Sequence, residues 1–238
     1  IAILGAGAWG TALAISLSAK HSVTLWTHNP DHAAALAQSR SNQRYLPGFD
    51  LPESVRIEAV MERALQAADL VLVVVPTAGF RAVLKQAAAA GLGVPLLWAC
   101  KGFEAGTAKL LHQVAAEELA GRVPCGVLSG PSFAKEVAAG LPTAITLASQ
   151  DAAFARTVAS ELHAPRLRIY HSDDVTGVEV GGAVKNVMAI AAGICDGLHL
   201  GYNARAALIT RGLAEITRLG IALGGKPETF MGLTGLGD

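Results

Sequence analysis

Two lysines set among small or apolar residues are the side chains in this sequence best suited to moving a proton. Lys185 lies in the run Gly-Gly-Ala-Val-Lys-Asn-Val at 181–187, and Lys101 follows an apolar run at 95–100. Two ammonium groups in one partly desolvated pocket lower each other's pKa from about 10.4 toward a range useful for acid–base chemistry. Asp238 could hold one of them in place. We therefore expect Lys185, Lys101 and Asp238 to form a catalytic group.

Two glycines before Lys185 indicate a close neighbour on that face of a predicted helix. Helical side chains lean toward the helix N-terminus, so Lys185 lies over Gly181 and Gly182. Each glycine inside a helix costs about 1 kcal/mol relative to alanine. Another backbone, or a ligand under the ammonium group, is therefore expected against this face. A surface lysine beside packing glycines is the alternative.

The first residues carry a glycine pattern typical of dinucleotide binding. A short apolar strand, Ile1–Leu4, precedes Gly5, Gly7 and Gly10, and a helix is predicted from Thr11 to about Lys20. The first glycine allows a tight turn, the second lets the main chain approach a pyrophosphate, and the third lets the helix pack near the sheet. The pattern predicts a nicotinamide or flavin dinucleotide, although such turns also occur for steric reasons alone.

The residues after the second predicted strand bear on which nicotinamide cofactor binds. Enzymes that use NAD usually place an acid about twenty residues past the glycines, where it holds the ribose 2′-hydroxyl. Here the strand ends in Trp-Thr-His-Asn at 26–29, and the first acid is Asp31, beyond Pro30. Without a carboxylate to repel a 2′-phosphate, the site favours NADP(H) or accepts both forms. His28 could contact the cofactor there, or it could be an exposed loop residue.

A further helix start is predicted in the segment 129–136, Ser-Gly-Pro-Ser-Phe-Ala-Lys-Glu. Pro131 suits the first helical position, and the small residues leave backbone N–H groups free. These groups could bind a substrate or cofactor phosphate. A capped helix without a ligand is the alternative.

Short β-branched runs alternate with alanine-rich stretches over the first two-thirds of the chain, which favours a parallel sheet built from βα units. Helical spacing replaces this alternation at 175–198 and 203–223. We therefore predict an α/β fold with a Rossmann-type, doubly wound, mainly parallel sheet (1–172), then a second, all-helical domain (173–238) that is incomplete here. The predicted strands are Ile1–Leu4, Val23–Trp26, Val55–Glu58, Leu70–Val75, Pro95–Cys100, Cys125–Leu128, Ala144–Ala148 and Leu167–Tyr170.

Ligands of open α/β sheets bind at the carboxyl ends of the strands. The unusual residues of this chain follow five predicted strands, so together they predict a cleft at that edge. They are the segments 5–10, 27–30, 76–77, 101–102 and 129–132.

Composition narrows the function classes. Of 238 residues, 52% are hydrophobic, which is enough for a substantial core. Lys and Arg equal Asp and Glu at 19 each, so neither a nucleic acid nor an anionic membrane surface is indicated. Three widely spaced cysteines favour reduced thiols in the cytoplasm. We expect no metal site and no membrane insertion, since neither ligand clusters nor an uninterrupted membrane-length apolar run is evident.

Together these motifs resemble the NAD(P)-dependent glycerol-3-phosphate dehydrogenases, in particular the bacterial type. The resemblance covers the whole chain in order, and the segments around Ser129 and Lys185 are more specific than the glycine pattern. The matching segments are 5–14, Asn42 with 45–47, 75–76, 101–102, 129–136, 181–187, 207–213 and 235–238.

The resemblance implies reversible reduction of dihydroxyacetone phosphate to sn-glycerol 3-phosphate, which supplies glycerophospholipid synthesis. It makes Lys185 the general acid/base, places Lys101 against both substrate and cofactor, and places Asp238 in the substrate site. The sequence leaves the oligomeric state open and is compatible with a homodimer. The other implied site residues are Gly130 and Ser132 for substrate, and Gly5, Gly7, Ala8, Trp9, Gly10, His28 and Ala134 for the cofactor.

Two alternatives remain from the sequence. A β-hydroxyacid or 6-phosphogluconate-type dehydrogenase also joins a Rossmann domain to a helix that carries Gly-Gly and Lys-Asn. The second alternative is a non-catalytic dinucleotide-binding regulator. The two lysines argue against it, because binding alone does not require a lysine on each wall of the cleft. The resemblance also implies a Ser-Arg-Asn segment beyond the position of Asp238, so we expect weak turnover from a chain ending there.

Overall fold

A computed structural model describes residues 1–235, which contain eight strands, nine α-helices and one 3₁₀ helix. Asp238, one of the predicted catalytic residues, lies outside the described residues. The strands are β1 (Ala2–Leu4), β2 (Thr24–Trp26), β3 (Arg56–Glu58), β4 (Val71–Val73), β5 (Leu96–Trp98), β6 (Cys125–Ser129), β7 (Thr143–Ala148) and β8 (Leu167–Ser172). The α-helices are α1 (Ala8–Leu17), α2 (Pro30–Ser39), α3 (Met61–Leu65), α4 (Thr77–Ala89), α5 (Leu111–Leu119), α6 (Ala134–Ala138), α7 (Ala152–Leu162), α8 (Val175–Gly197) and α9 (Gly201–Ala222). The 3₁₀ helix spans Pro227–Met231.

The strands form one sheet in the order β3-β2-β1-β4-β5-β6-β7-β8. Neighbouring strands are parallel except β6 and β7, which are antiparallel. The strand order changes direction between β1 and β4, and the crevice outside their carboxyl ends is where ligands of such sheets bind. The predicted doubly wound, mainly parallel sheet is confirmed.

Both faces of the sheet are covered, as the apolar strand sequences require. Alternate residues of β1 point into different cores: Ala2 and Leu4 join one hydrophobic cluster and Ile3 joins the other. The first cluster includes Phe80 of α4, and the second includes Leu13 of α1. This burial fixes β1, and with it the glycine loop that follows.

The C-terminal helices form a smaller core of their own. Val180 of α8, Ile216 of α9 and Phe230 of the 3₁₀ helix pack together with Leu110, which immediately precedes α5. The first half of α8 is buried, whereas most of its second half is exposed. The helical region predicted after the sheet is therefore present, and it packs on the sheet through the start of α8.

Helix α8 is long and apolar enough to cross a membrane, judged by length and composition alone. No other described helix meets those criteria. Glu179 and Lys185 interrupt it, which is why the sequence shows no uninterrupted apolar run. A buried helix of a folded core meets the same criteria, and the first half of α8 is one.

Candidate active site

The loop after β1 is built so that two glycines pack and one faces open space. Gly5 has φ +127°, and a Cβ there would collide with the carbonyl of Val74. A Cβ at Gly10 would collide with the carbonyl of Gly5. At Gly7, which caps α1, nothing lies within 4 Å of the position that a Cβ would occupy. The loop therefore leaves room beside Gly7 and the first N–H groups of α1, as a pyrophosphate requires.

A buried amide supports this loop from behind. Asn42 is 1% exposed, and its side-chain amide donates to the Ala6 carbonyl at 3.0 Å and to Thr11 Oγ1 at 2.7 Å. His32 Nε2 contacts Asn42 Oδ1 at 3.3 Å. The sequence identifies Asn42 only through the family resemblance. An isolated asparagine in a loop has no neighbouring pattern that would predict these hydrogen bonds.

A cavity of about 400 Å³ opens at the crevice between β1 and β4. Segments far apart in sequence meet in its wall, including both lysines singled out above. The lining residues are Gly7, Ala8, Trp9, Val74, Val75, Pro76, Thr77, Ala99, Cys100, Lys101, Ser132, Phe133, Lys185 and Asn186. The structure therefore places Lys101 and Lys185 beside the glycine loop, at the edge where the sequence predicts a cleft.

Lys101 is held in a segment with several fixed contacts. Its ammonium group donates to the Gly130 carbonyl at 3.0 Å and lies 3.5 Å from Ser132 Oγ. The hydroxyl of Thr77 donates to the Lys101 carbonyl at 2.9 Å. Gly102 has φ +134°, a conformation that favours glycine. Lys101, Gly130 and Ser132 thus form one polar group at the ends of β5 and β6.

The face of α8 before Lys185 is pressed against other parts of the protein. A Cβ at Gly181 would lie 2.5 Å from the Thr234 carbonyl, and one at Gly182 would lie 2.6 Å from Ser129 Oγ. The same Cβ at Gly182 would also contact the side chain of Lys101. The close neighbour that the two glycines predict is therefore protein backbone and side chain. The half-buried Lys185 lines the cavity beyond them.

The segment after β6 differs from the sequence prediction. Helix α6 begins at Ala134 with Phe133 as its N-cap, so the prediction that Pro131 starts the helix is wrong. Gly130 has φ +139° and packs against β7. This backbone conformation is not helical, so the helix begins only after Pro131. The hydroxyl of Ser129 is buried, with no hydrogen-bond partner among the described residues.

The remaining predicted cofactor residues lie around the same edge. Ala134 packs on the hydrophobic cluster that Ala8 and Trp9 also contact. His28 is exposed, and its ring lies 6.5 Å from that of Trp26, outside the wall of the cavity. Both readings of His28 made from sequence, a cofactor contact and an exposed loop residue, are compatible with this position.

Burial and ion pairing set the ionisation of groups near the cleft. Burial raises the pKa of the Cys100 thiol to about 12, so this wall residue stays protonated near neutral pH. A hydrogen bond from Arg81, and to a smaller extent one from Thr107, lowers the pKa of Glu104 to about 2. Arg81 binds both oxygens of Glu104 at 2.6 and 2.8 Å. Within residues 1–235, no three His, Cys, Asp or Glu side chains are grouped as a metal site requires.

Two family models match consecutive parts of the chain. The N-terminal part of the NAD-dependent glycerol-3-phosphate dehydrogenases matches residues 1–155, and the C-terminal part of the same family matches residues 174–238. Proteins named glycerol-3-phosphate dehydrogenase [NAD(P)+] from Nitrosospira multiformis and Nitrosomonas eutropha are 62% and 65% identical to this chain. In both, the match covers all of this chain and 73% and 72% of the relative.

Solved structures give the same result. A glycerol-3-phosphate dehydrogenase from Coxiella burnetii is 47% identical with a TM-score of 0.93, covering 99% of this chain and 73% of the other. The enzyme from Saccharomyces cerevisiae is 26% identical with a TM-score of 0.84, covering 98% and 74%. These matches confirm the predicted resemblance and set aside the alternatives of a 6-phosphogluconate-type enzyme and a non-catalytic regulator. The chain belongs to the NAD-dependent glycerol-3-phosphate dehydrogenase family.

Proposed function

We propose that the cavity binds NAD(P)H and dihydroxyacetone phosphate and interconverts them with NAD(P)+ and sn-glycerol 3-phosphate. One observation carries this proposal: Lys101 and Lys185 line the same cavity as the glycine loop. A ketone held there has cationic groups on two sides. Positive charge is then in place where an alkoxide develops during reduction.

The residues around the glycine loop fit a dinucleotide. Gly5 and Gly10 shape the turn, and the space beside Gly7 receives the pyrophosphate at the start of α1. When bound, the reduced nicotinamide supplies a hydride to the ketone carbon. The other residues proposed to contact the cofactor are Ala8, Trp9, His28, Lys101 and Ala134.

Lys185 is the proposed proton donor to the ketone oxygen, and it takes the proton back in the reverse direction. An ammonium group suits this role because it stabilises the oxyanion before and during proton transfer. Its helix is fixed by the contacts at Gly181 and Gly182, so the side chain starts from a defined position. Asp238 is proposed to belong to the substrate site.

Lys101, Gly130 and Ser132 are proposed to bind the substrate. The Lys101 ammonium group already donates to the Gly130 carbonyl and lies beside the Ser132 hydroxyl. A dianionic phosphoester gains charge-assisted hydrogen bonds from such a group. A neutral triose would lack those bonds.

The names of the relatives, which include NAD(P)+, support use of both nicotinamide cofactors. The lack of a carboxylate at the end of β2 supports a preference for NADP(H), because nothing there repels a 2′-phosphate. We further propose that the enzyme is cytoplasmic and forms a homodimer, without a nucleic-acid partner and without insertion into a membrane. Its product would supply glycerophospholipid synthesis. Residues 1–172 would hold the cofactor, and residues 173–238 would belong to the substrate and dimerisation domain.

The test is to mix the full-length protein with NADPH or NADH and dihydroxyacetone phosphate, and to follow the absorbance of the reduced cofactor. The proposal expects turnover with the phosphorylated ketone and little with unphosphorylated dihydroxyacetone. Equal or greater turnover of 3-hydroxy acids with NAD(P)+, or cofactor binding without any hydride transfer, would contradict it.

A further inference from the structure

A buried carboxylate on α8 takes no part in the chemistry proposed above. The side chain of Glu179 is 4% exposed. Its Oε1 accepts hydrogen bonds from Trp98 Nε1 and from the backbone N–H of His112, both at 2.9 Å. Its Oε2 lies 2.6 Å from Nδ1 of the His112 ring. A buried charge is costly unless it is paired and hydrogen-bonded, so this side chain is held firmly by what it binds.

The two residues that bind Glu179 lie at the two ends of the segment that carries Lys101. Trp98 is the last residue of β5, three positions before Lys101. His112 is in the first turn of α5, where that segment ends. Glu179 itself lies six positions before Lys185 on α8. One carboxylate therefore joins both ends of the Lys101 segment to the helix that carries Lys185.

Two further hydrogen-bonded contacts of the Lys101 segment lead to α4. Thr77 binds the Lys101 carbonyl and Arg81 binds Glu104, and both Thr77 and Arg81 belong to α4. These bonds fix the segment relative to α4. Against α8 the segment also packs through the Lys101 side chain beside Gly182 and through Leu110 beside Val180, and Glu179 adds three hydrogen bonds to this packing.

We propose that Glu179 is a positioning residue that sets where Lys101 lies relative to Lys185. The inference rests on the proposed function, because only a reaction that uses both lysines is sensitive to their relative placement. Removing the carboxylate then slows reduction of dihydroxyacetone phosphate much more than it weakens nucleotide binding, because Lys101 is only one of the proposed cofactor contacts.

The test compares Glu179→Met with Glu179→Gln in the full-length enzyme. Methionine fills the space without accepting a hydrogen bond. Glutamine keeps Oε1, which serves two of the three bonds. We expect kcat/KM for dihydroxyacetone phosphate to fall at least tenfold in Glu179→Met and less than threefold in Glu179→Gln. The Kd for NADPH, measured by cofactor fluorescence, is expected to change less than threefold in Glu179→Met and less than twofold in Glu179→Gln.

A second pair of variants covers the case in which Glu179→Met does not fold. Trp98→Phe removes the indole N–H that binds Glu179 and keeps most of the ring. Trp26→Phe is the matched control, because Trp26 is equally buried and its N–H binds the Ala59 carbonyl at 3.0 Å, away from α8. We expect a threefold to tenfold loss of kcat/KM in Trp98→Phe and a smaller change in Trp26→Phe.

These results separate the inference from the proposed function. An inactive wild-type enzyme contradicts the proposed function. With an active wild type, the inference is overturned if folded Glu179→Met keeps kcat/KM within threefold, if Glu179→Gln loses as much as Glu179→Met, or if both tryptophan variants lose activity equally. A loss of NADPH affinity as large as the loss of kcat/KM would also overturn it, because Lys101 is only one of the proposed cofactor contacts and such a loss would indicate a general structural role.

Discussion

The two lysine-bearing walls of the cleft are built in different ways. The Lys101 wall is an irregular segment fixed by added side-chain bonds, from Thr77 to the Lys101 carbonyl and from Arg81 to Glu104. The Lys185 wall is a regular helix. Because Gly181 and Gly182 have no side chains, other protein atoms pack directly against its backbone. Several hydrogen bonds hold the segment that carries Lys101. In the helix that carries Lys185, close packing at the two glycines adds to the hydrogen bonds of Glu179.

This difference predicts how each wall responds to mutation. A segment held by several bonds loses only a fraction of its constraint when one bond is removed. A helix packed at van der Waals distance cannot accept an added methyl group without moving. Single substitutions in the Lys185 wall should therefore have larger effects than those in the Lys101 wall.

The largest effect is expected for Lys185→Ala. Loss of a general acid lowers turnover by roughly 10²–10⁴-fold. We expect kcat in dihydroxyacetone phosphate reduction to fall by that factor, with NADPH affinity nearly unchanged. Steady-state kinetics and a fluorescence titration measure the two quantities. A kcat within tenfold of wild type would remove Lys185 from its proposed role.

Next in size is Gly182→Ala, with Gly193→Ala as its control on the same helix. The new methyl group at 182 would meet Ser129 Oγ at 2.6 Å, whereas nothing lies within 4 Å of that position at 193. Overpacking costs about 1–3 kcal/mol, and misplacing a catalytic group costs up to about a hundredfold in rate. We expect Gly182→Ala to lose both stability and kcat/KM.

Gly193→Ala should keep its activity and gain up to about 1 kcal/mol, because alanine is the better helix former. Thermal unfolding and initial rates of the two variants give the comparison. Equal behaviour of the two would show that close packing at 182 does not matter.

A smaller effect is expected for Glu104→Gln in the Lys101 wall. The substitution weakens the pairing with Arg81, but Arg81 also binds Glu117 at 2.8 Å and Glu118 at 2.5 Å. Since Thr77 still holds Lys101, we expect kcat/KM to fall by less than about threefold, as for other partly exposed ion pairs. A loss as large as that of Gly182→Ala would contradict the contrast between the walls.

The ion pair between Arg81 and Glu104 also predicts how stability depends on pH. The folded protein holds the pKa of Glu104 near 2, below its ordinary value of 4.5, mainly through Arg81. Its contribution to stability is therefore fully present above about pH 4.5 and is lost as the pH falls toward 2. Denaturant unfolding at several pH values should show a smaller acid-induced loss of stability in Glu104→Gln. An identical acid dependence would contradict this assignment.

The smallest effect is expected for His28→Ala, since the side chain is exposed and lies outside the cavity wall. Removing one exposed hydrogen-bonding or stacking side chain should weaken NADPH binding by only about twofold and leave NADH binding unchanged. Titrations with each cofactor measure this. Unchanged affinity for both cofactors would make His28 an ordinary surface residue.

Much of the fold could be predicted because local patterns match the long-range structure. The unbroken apolar run at 71–75 predicts a strand covered on both faces, and β4 is such a strand. The first five predicted strands are longer than the observed ones, as at β5, where Pro95 and Ala99–Cys100 lie outside the ladder. The last three predicted strands are one or two residues shorter than the observed ones. Apolar composition alone does not show where strand pairing stops.

The site could be predicted only where its residues carry a local sequence pattern. The glycines at 181 and 182 carry a strong local signal of close packing, and the lysine after them lines the cavity. Glu179 carries no such signal, since a lone acid in a helix is usually exposed. Its partners are 81 and 67 positions away, so only the folded structure reveals them. The start of α6 was predicted wrongly because Pro131 fits either a helix start or a loop.

The proposed mechanism requires that Lys185 delivers a proton to the ketone oxygen inside the cavity lined by Lys101 and the glycine loop. The decisive test is a crystal structure of the full-length enzyme with NADPH and a non-reactive analogue of dihydroxyacetone phosphate. We expect Lys185 Nζ within about 2.6–3.2 Å of the analogue's carbonyl-equivalent oxygen. An analogue bound elsewhere, or Lys185 turned to bulk solvent with another group at that oxygen, would contradict it.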